Sequence, residues 1–282
     1  MTDSYMLMFL DSPLAKGGPW GFLTVFFLFL ARILPIIALS PFFGARVLPH
    51  PVKVAFAITL FAVFFPHLLQ VTTEPLTFNF HALTLVVKEM FIGLILGFFI
   101  SLPFIIVQTT GMIIDHQRGG ASLMVNDPTI QNQSSPLGTL FNMVLIYIFY
   151  LMDGPFLFID AIVTSYTIIP PDQFLNPDIF RPDSSFWQIH IQLLNRVMIM
   201  ATQLATPALL AILMTDVFLG ITNRLAQQVQ ITFLGLPLKS LLGLTIIFLG
   251  WNLLTKQMVI NSRYWLNMID TLLQIFQGRP LP

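Results

Sequence analysis

Six stretches of this chain stay apolar for about twenty residues or more, at 20–43, 52–71, 83–107, 137–164, 191–222 and 231–254. A helix rises about 1.5 Å per residue and the hydrocarbon core of a bilayer is about 30 Å thick, so each run is long enough for one crossing or a helical hairpin. Only 9% of the residues are charged, against roughly 25% in a soluble domain, and six crossings with their connections use up the 282 residues. The composition therefore points to an all-α, membrane-inserted protein, and no separate soluble domain is expected within these residues. Net charge is zero, which removes the basic field that nucleic acid would require.

Prolines interrupt the apolar runs at Pro35, Pro66, Pro103, Pro155, Pro207 and Pro237. Each removes a backbone donor and is expected to kink or break its helix, so several segments are predicted to be bent or Pro-broken hairpins. Six simple crossings would put Arg46, Lys53, Arg118, Arg224 and Lys239 on one side and Lys16, Lys88, Arg181, Lys256, Arg263 and Arg279 on the other. That near-tie gives no clear orientation, so either the tail overrides the loops or the chain is not threaded as a plain bundle. The beginning of the chain lacks the basic start of a cleaved signal, and its first apolar run is expected to be retained.

Two polar stretches stand out. The first runs from Gly111 through Asp127 and Pro128 to Ser134, Ser135 and Pro136, combining Gly119 and Gly120 with uncharged side chains such as Gln117 and Gln131. It has too little charge for a water-facing loop and suits one lying within protein or a pore. Met124 within it is a candidate deformable seal, whereas most of the 28 Phe and 13 Met are packing material. The second is an amide-rich hairpin tip with Asn223, Arg224, Gln227 and Gln228, followed by Gly235, Pro237 and Lys239, where Gly235 and Pro237 read as turn residues. Such a tip is suited to packing against similar hairpins. A third polar run, 170–185, reads as a plain solvated loop.

Catalytic arrangements are poorly supported. Asp153 and Asp160 are seven apart, but Gly154 and Pro155 break the helix between them; the histidines are dispersed at 50, 67, 81, 116 and 190; and there is no cysteine. No enzyme, cofactor or metal site is expected. A free-standing secondary transporter of a small solute is the competing function, with Arg196 and Asp216 as ion or proton candidates. The simpler reading is that Arg196 and Asp216 pair with each other or with a neighbouring subunit, and that Lys88 and Glu89 contact two different partners, Lys88 facing headgroups.

Several motifs follow one another along the chain. They are Arg32 with Pro35, Ser40, Pro41 and Phe42; Lys88 and Glu89 with Gly93 and Gly97; and Gly111 with Gln117 and Gly119. Asp127 with Pro128, Asp153 with Gly154, Ala205 with Pro207, and Asn223 with Arg224 ahead of Gly235, Pro237 and Lys239 complete them. In this order and spacing the chain resembles the T-type subunit family of the type III secretion export apparatus, which includes flagellar FliR and injectisome SctT. It departs from the family at 226–230, where Ala-Gln-Gln-Val-Gln replaces the usual Pro-Gln-x-Asn, and at 153–155, where Asp-Gly-Pro leans towards an injectisome branch.

The resemblance implies a single subunit, 1–282, of a helical export-gate cone in the bacterial inner membrane, with an S-subunit-like hairpin at about 191–260. It implies a plug loop at about 117–136 bearing Gln117, Gly119, Gly120, Met124, Asp127, Pro128, Gln131, Ser134 and Ser135. Subunit contacts would fall at Lys88, Glu89, Asn223, Arg224, Gln227, Gln228, Pro237 and Lys239. The implied partners are the R-type and S-type subunits, the U-type switch protein and the V-type export protein, in a hetero-oligomer within membrane lipid. Unfolded secreted proteins would be the cargo.

Overall fold

A computed structural model of the chain describes residues 18–43, 48–119, 125–126, 133–175, 177–181, 184–225 and 231–276. The helices are α1 (Gly18–Leu39), α2 (His50–Val71), α3 (Phe80–Gln117), α4 (Pro136–Leu151), α5 (Gly154–Ile168), α6 (Ser185–Leu225), α7 (Ile231–Leu249) and α8 (Trp251–Phe276). Short 3₁₀ turns occupy Pro41–Phe43 and Pro177–Phe180. Apart from helices, the described residues contain one two-residue antiparallel ladder, β1 (Val125–Asn126) with β2 (Gln133–Ser134), within the polar cassette. The all-α class expected from the apolar runs is what the chain adopts. Among the described residues, α1, α2, α3 and Phe186–Leu225 are each long and apolar enough to cross a membrane, and two broken helix pairs bring the number to as many as six.

The breaks do not fall where the prolines do. Pro35, Pro66, Pro103, Pro207 and Pro237 all lie inside helices that continue through them. A proline costs a helix one hydrogen bond, and packed neighbours in a membrane protein tolerate that loss. The chain breaks instead between α4 and α5, where Asp153 takes a left-handed φ of 56° and Pro155 then sits in the first turn of α5. It breaks again at Gly250, where α7 and α8 meet at a bend of 66°. Of the six prolines, only Pro155 marks a break.

Two compact units make up the described chain. One lies within Met1–Ser101, Asp153–Ile191 and Trp265–Pro282, and the other within Leu102–Met152 and Gln192–Tyr264. In the first unit α1 packs on α2, and α2 on α5. Val25, Leu28, Phe29 and Ile33 are buried here with Phe61, Phe64, Leu68, Phe158 and Ile162. Phe29 lies edge-on to Phe61 at 5.5 Å and stacks on Tyr166 at 5.8 Å, geometries that aromatic quadrupoles favour. Gly93 and Gly97 of α3 face α1: a Cβ at Gly93 would collide with the carbonyl of Arg32, and one at Gly97 would come within 3.0 Å of the Ile36 backbone. These glycines let two helix backbones approach closely, the close packing that small residues permit in membranes.

In the second unit, α3 runs on to Gln117, ten residues past the last apolar position of its sequence run. The polar residues that ended that run are accommodated internally: Thr110 Oγ1 donates to the carbonyls of Ile106 at 2.8 Å and Ala201 at 3.2 Å. α7 begins at Ile231, so Gly235 and Pro237 lie within a helix, and the expected turn role does not hold for them. The connection between α6 and α7, 226–230, is outside the described residues.

Candidate functional site

The first unit holds a buried ionic network that the sequence pointed to only in pieces. Arg32 of α1 and Glu89 of α3 are both 0% exposed. The guanidinium donates through Nε to Glu89 Oε2 and through Nη2 to Oε1 at 2.8 Å, a two-pronged pairing that fits the planar fork. Its remaining donors reach Ser165 Oγ at 3.2 Å and the Ile169 carbonyl at 2.8 Å, and its carbon lies 4.0 Å from the centroid of the Tyr166 ring. Arg32 thus ties α1, α3 and α5 together.

Lys88 corrects the sequence reading. It faces neither headgroups nor a partner separate from Glu89: its ammonium lies 2.6 Å from Glu89 Oε1. It also donates to the carbonyls of Pro170, Pro171 and Gln173 at 2.9–3.2 Å. Neighbouring residues on a helix point apart at Cβ, but a Lys stem is long enough to bend its ammonium back. The segment expected to be a plain solvated loop is therefore held from inside. Asp172, 5% exposed, accepts through Oδ2 from the backbone N–H and hydroxyl of Thr73 and the N–H of Glu74, at 2.8–2.9 Å, securing the exit of α2.

The second unit gathers the base of the polar cassette. Asp115, fully buried on α3, receives the Ser135 hydroxyl on Oδ2, and the Leu137 N–H donates to the same oxygen at 2.9 Å. Ser135 is the N-cap of α4 and accepts from the Gly138 N–H at 2.9 Å, so the helix start is satisfied twice and carries an anion where its dipole favours one. Arg118 donates through Nε to Asp115 Oδ1 at 2.7 Å and through Nη1 to Ser240 Oγ of α7 at 3.1 Å. Gly111 and Gly138 allow the contact: a Cβ at Gly111 would enter the backbone of Leu137 and Gly138. The end of α3 and the start of α4 are therefore locked together at the points where the cassette leaves and returns. Asp115 and Arg118 were not among the sequence candidates. An acid and a base three apart just past an apolar run, ahead of a Ser-Pro helix start, is the signal that marks them.

The remaining candidates disperse. Gln117 is exposed, Gly119 has a positive φ of 85°, and Ser134 contributes backbone to the ladder. Gly120, Met124, Asp127, Pro128 and Gln131, with Gln227 and Gln228 of the hairpin tip, lie outside the described residues. Asn223, Arg224 and Pro237 are exposed. Arg196 and Asp216 do not pair with each other: Asp216 pairs with Lys239 between α6 and α7, and Arg196 stacks on Tyr264 at 4.3 Å.

Long apolar helices joined by broken pairs and fastened by buried ion pairs define a multi-helix integral membrane protein. The chain belongs to the family of bacterial export proteins, family 1, whose profile it matches over residues 23–262. It is 32% identical over 169 residues to the surface presentation of antigens protein SpaR of Shigella flexneri, covering 60% of this chain and 63% of SpaR. It is 26% identical to the secretion system apparatus protein SsaT of Salmonella typhimurium, over 79% of this chain and 82% of SsaT. To the flagellar biosynthetic protein FliR of Escherichia coli it is 28% identical, over 80% of this chain and 84% of FliR. The match to SpaR thus spans less than two thirds of that protein, while those to SsaT and FliR span most of theirs. The family expected from the motif order is the one found; SsaT is named for a secretion system apparatus, FliR for flagellar biosynthesis and SpaR for surface presentation of antigens, with no solute transporter among these three.

Proposed function

We propose that this chain is a core subunit of the export gate of a bacterial type III secretion system, placed in the inner membrane and working as part of a hetero-oligomer rather than as an enzyme. Its neighbours would be the R-type and S-type subunits, with the U-type and V-type proteins, and unfolded secreted proteins would be the cargo. The family match over residues 23–262 supports the assignment to an export apparatus. The observation that carries the gate role is the locked base of the cassette. Asp115, Arg118 and Ser135 fix both ends of a weakly charged polar loop to α3 and α4, and through Ser240 to α7. A loop with free ends would be swept aside by passing chain, whereas one hung from a fixed base can return to the same place.

The test removes the loop and spares its base. Replacing residues 127–132 by a two-residue Asn-Gly turn keeps Ser135, the N-cap of α4, and suits the short antiparallel ladder in which Asn126 pairs with Gln133. The assembled apparatus carrying this change is expected to form normally and to leak small solutes across the inner membrane. Unchanged permeability in an assembled complex overturns the plug role. For the interface, changing Gln227 and Gln228 to Ala is expected to reduce co-purification with the S-type subunit.

A further inference from the structure

The second unit contains a cavity of about 340 Å³ in the elbow between α7 and α8, walled by Pro207 and Ala208 of α6, Ile246 of α7 and Leu253 of α8. That volume is within the roughly 300–1,000 Å³ of pockets that accept small ligands. Its lining is apolar except for two amides, Gln203 on α6 and Gln257 on α8. Seven residues from each amide, on the same face of its helix, stand Arg196 and Tyr264, and these two touch through the cation–π contact at 4.3 Å. The contact of Arg196 with Tyr264, together with Gln203 and Gln257 lining one cavity, places α6 and α8 antiparallel along one seam. The seam carries a cation at one level, amides about 10 Å further on, and an apolar chamber that begins at the amides and extends away from the cation, past Ala208 on α6 and Leu253 on α8 to Gly250.

Charge along this seam has one sign. From 192 to 208 on α6 and from 246 to 264 on α7 and α8 there is no Asp or Glu, whereas Arg196, Lys256 and Arg263 are all exposed. Arg196 lies in a helix apolar enough to span a membrane, yet no carboxylate pairs with it among the described residues. Stacking on Tyr264 occupies the face of the guanidinium and leaves its in-plane N–H donors able to grip an oxyanion. A cation in that position needs a counter-charge.

We propose that this seam is a site for an anionic phospholipid of the surrounding membrane, with the phosphate on Arg196, the ester region beside Gln203 and Gln257, and acyl chain in the elbow cavity. The order of groups along the seam follows that of a phospholipid from head to tail. Lys256 and Arg263, seven apart on α8 and to one side of the seam, add the positive field that separates an anionic headgroup from a zwitterionic one.

The experiment is native mass spectrometry of the full chain released from nanodiscs containing either phosphatidylglycerol or phosphatidylcholine, with circular dichroism to check helix content. The wild-type chain is expected to retain one phosphatidylglycerol with about tenfold preference over phosphatidylcholine, the scale of a charge-assisted hydrogen-bonded contact. Arg196→Gln should remove that preference while leaving helix content unchanged, and Leu204→Trp, which fills the cavity, should lower retention of both lipids. Equal retention of the two lipids by wild type, or an undiminished preference in Arg196→Gln, overturns the site. If Leu204→Trp abolishes recovery of the other apparatus subunits while lipid retention is unchanged, the cavity receives a partner helix and the lipid assignment also falls.

Discussion

Glu89 accepts both prongs of the Arg32 guanidinium while lying 2.6 Å from the ammonium of Lys88, so one buried carboxylate balances two buried cations. The arrangement is stable only because the surplus positive charge is spread over the Ser165 hydroxyl and four backbone carbonyls, at 169, 170, 171 and 173. Desolvating three charges is costly, and the full set of hydrogen bonds offsets that cost.

Removing Glu89 alone is therefore expected to be severe. Glu89→Leu leaves two buried cations without a counter-charge and should destabilise the first unit by about 3–5 kcal/mol, the range for breaking a buried pair. Arg32→Met in the same background should restore part of the loss, because the second change removes one of the stranded cations. Thermal unfolding of the detergent-solubilised single and double variants measures this, and a double variant as unstable as the sum of the singles would count against the coupling.

Lys88→Met tests the role assigned to the 169–175 segment. Three carbonyls lose their donor, and the segment should loosen while α3 itself, which gains an apolar residue, stays helical. Limited proteolysis is expected to cut near Gln173 in the variant and to spare the same peptide in wild type.

Membrane insertion and the positions of the long apolar segments were legible because those runs are long, and length is what a bilayer reads, whereas the division of two of the six segments into α4 with α5 and α7 with α8 was not. The sites of bending were not. Pro35, Pro66, Pro103, Pro207 and Pro237 looked like breaks, yet the helices continue through all five, while Gly250 breaks a helix without any proline. The candidate site was legible by composition but not by partner. Lys88 and Glu89 stood out as charges in an apolar run, but that they share one cluster with Arg32 depends on Gly93 drawing α1 onto α3. Asp172 looked solvated because its neighbours are prolines and polar residues, and only the fold shows that it caps the exit of α2.

Glycines distinguish close approach from open surface. Gly93→Ala and Gly111→Ala would each drive a methyl group into a neighbouring helix backbone, and both should be destabilising. Gly220→Ala on α6 meets nothing within 4 Å and should stabilise the helix by about 0.5–1 kcal/mol through lowered chain entropy. Unfolding midpoints for the three variants should therefore fall on opposite sides of wild type, and a midpoint for Gly93→Ala equal to that of Gly220→Ala would refute the close helix approach.

Asp216 and Lys239 pair between α6 and α7 with 40% and 21% of their side chains exposed, in contrast to the buried Arg32–Glu89 pair. A pair this open contributes about 1 kcal/mol or less to its own fold. Yet it stands among exposed apolar side chains, Leu213, Val217, Phe218 and Leu236, where facing lipid would be costly for its uncompensated donors and acceptors. That combination is suited to a surface completed by another subunit. Lys239→Ala should accordingly leave the unfolding midpoint of the isolated chain within a degree or two, roughly what such a pair is worth, while reducing co-purification with other apparatus subunits. The exchange Asp216→Lys with Lys239→Asp separates the two roles. It should restore the internal pair and the unfolding midpoint but not assembly, because the partner would meet the charges in reversed order. Recovery of assembly by the exchanged pair would show that the two residues serve only their own hairpin.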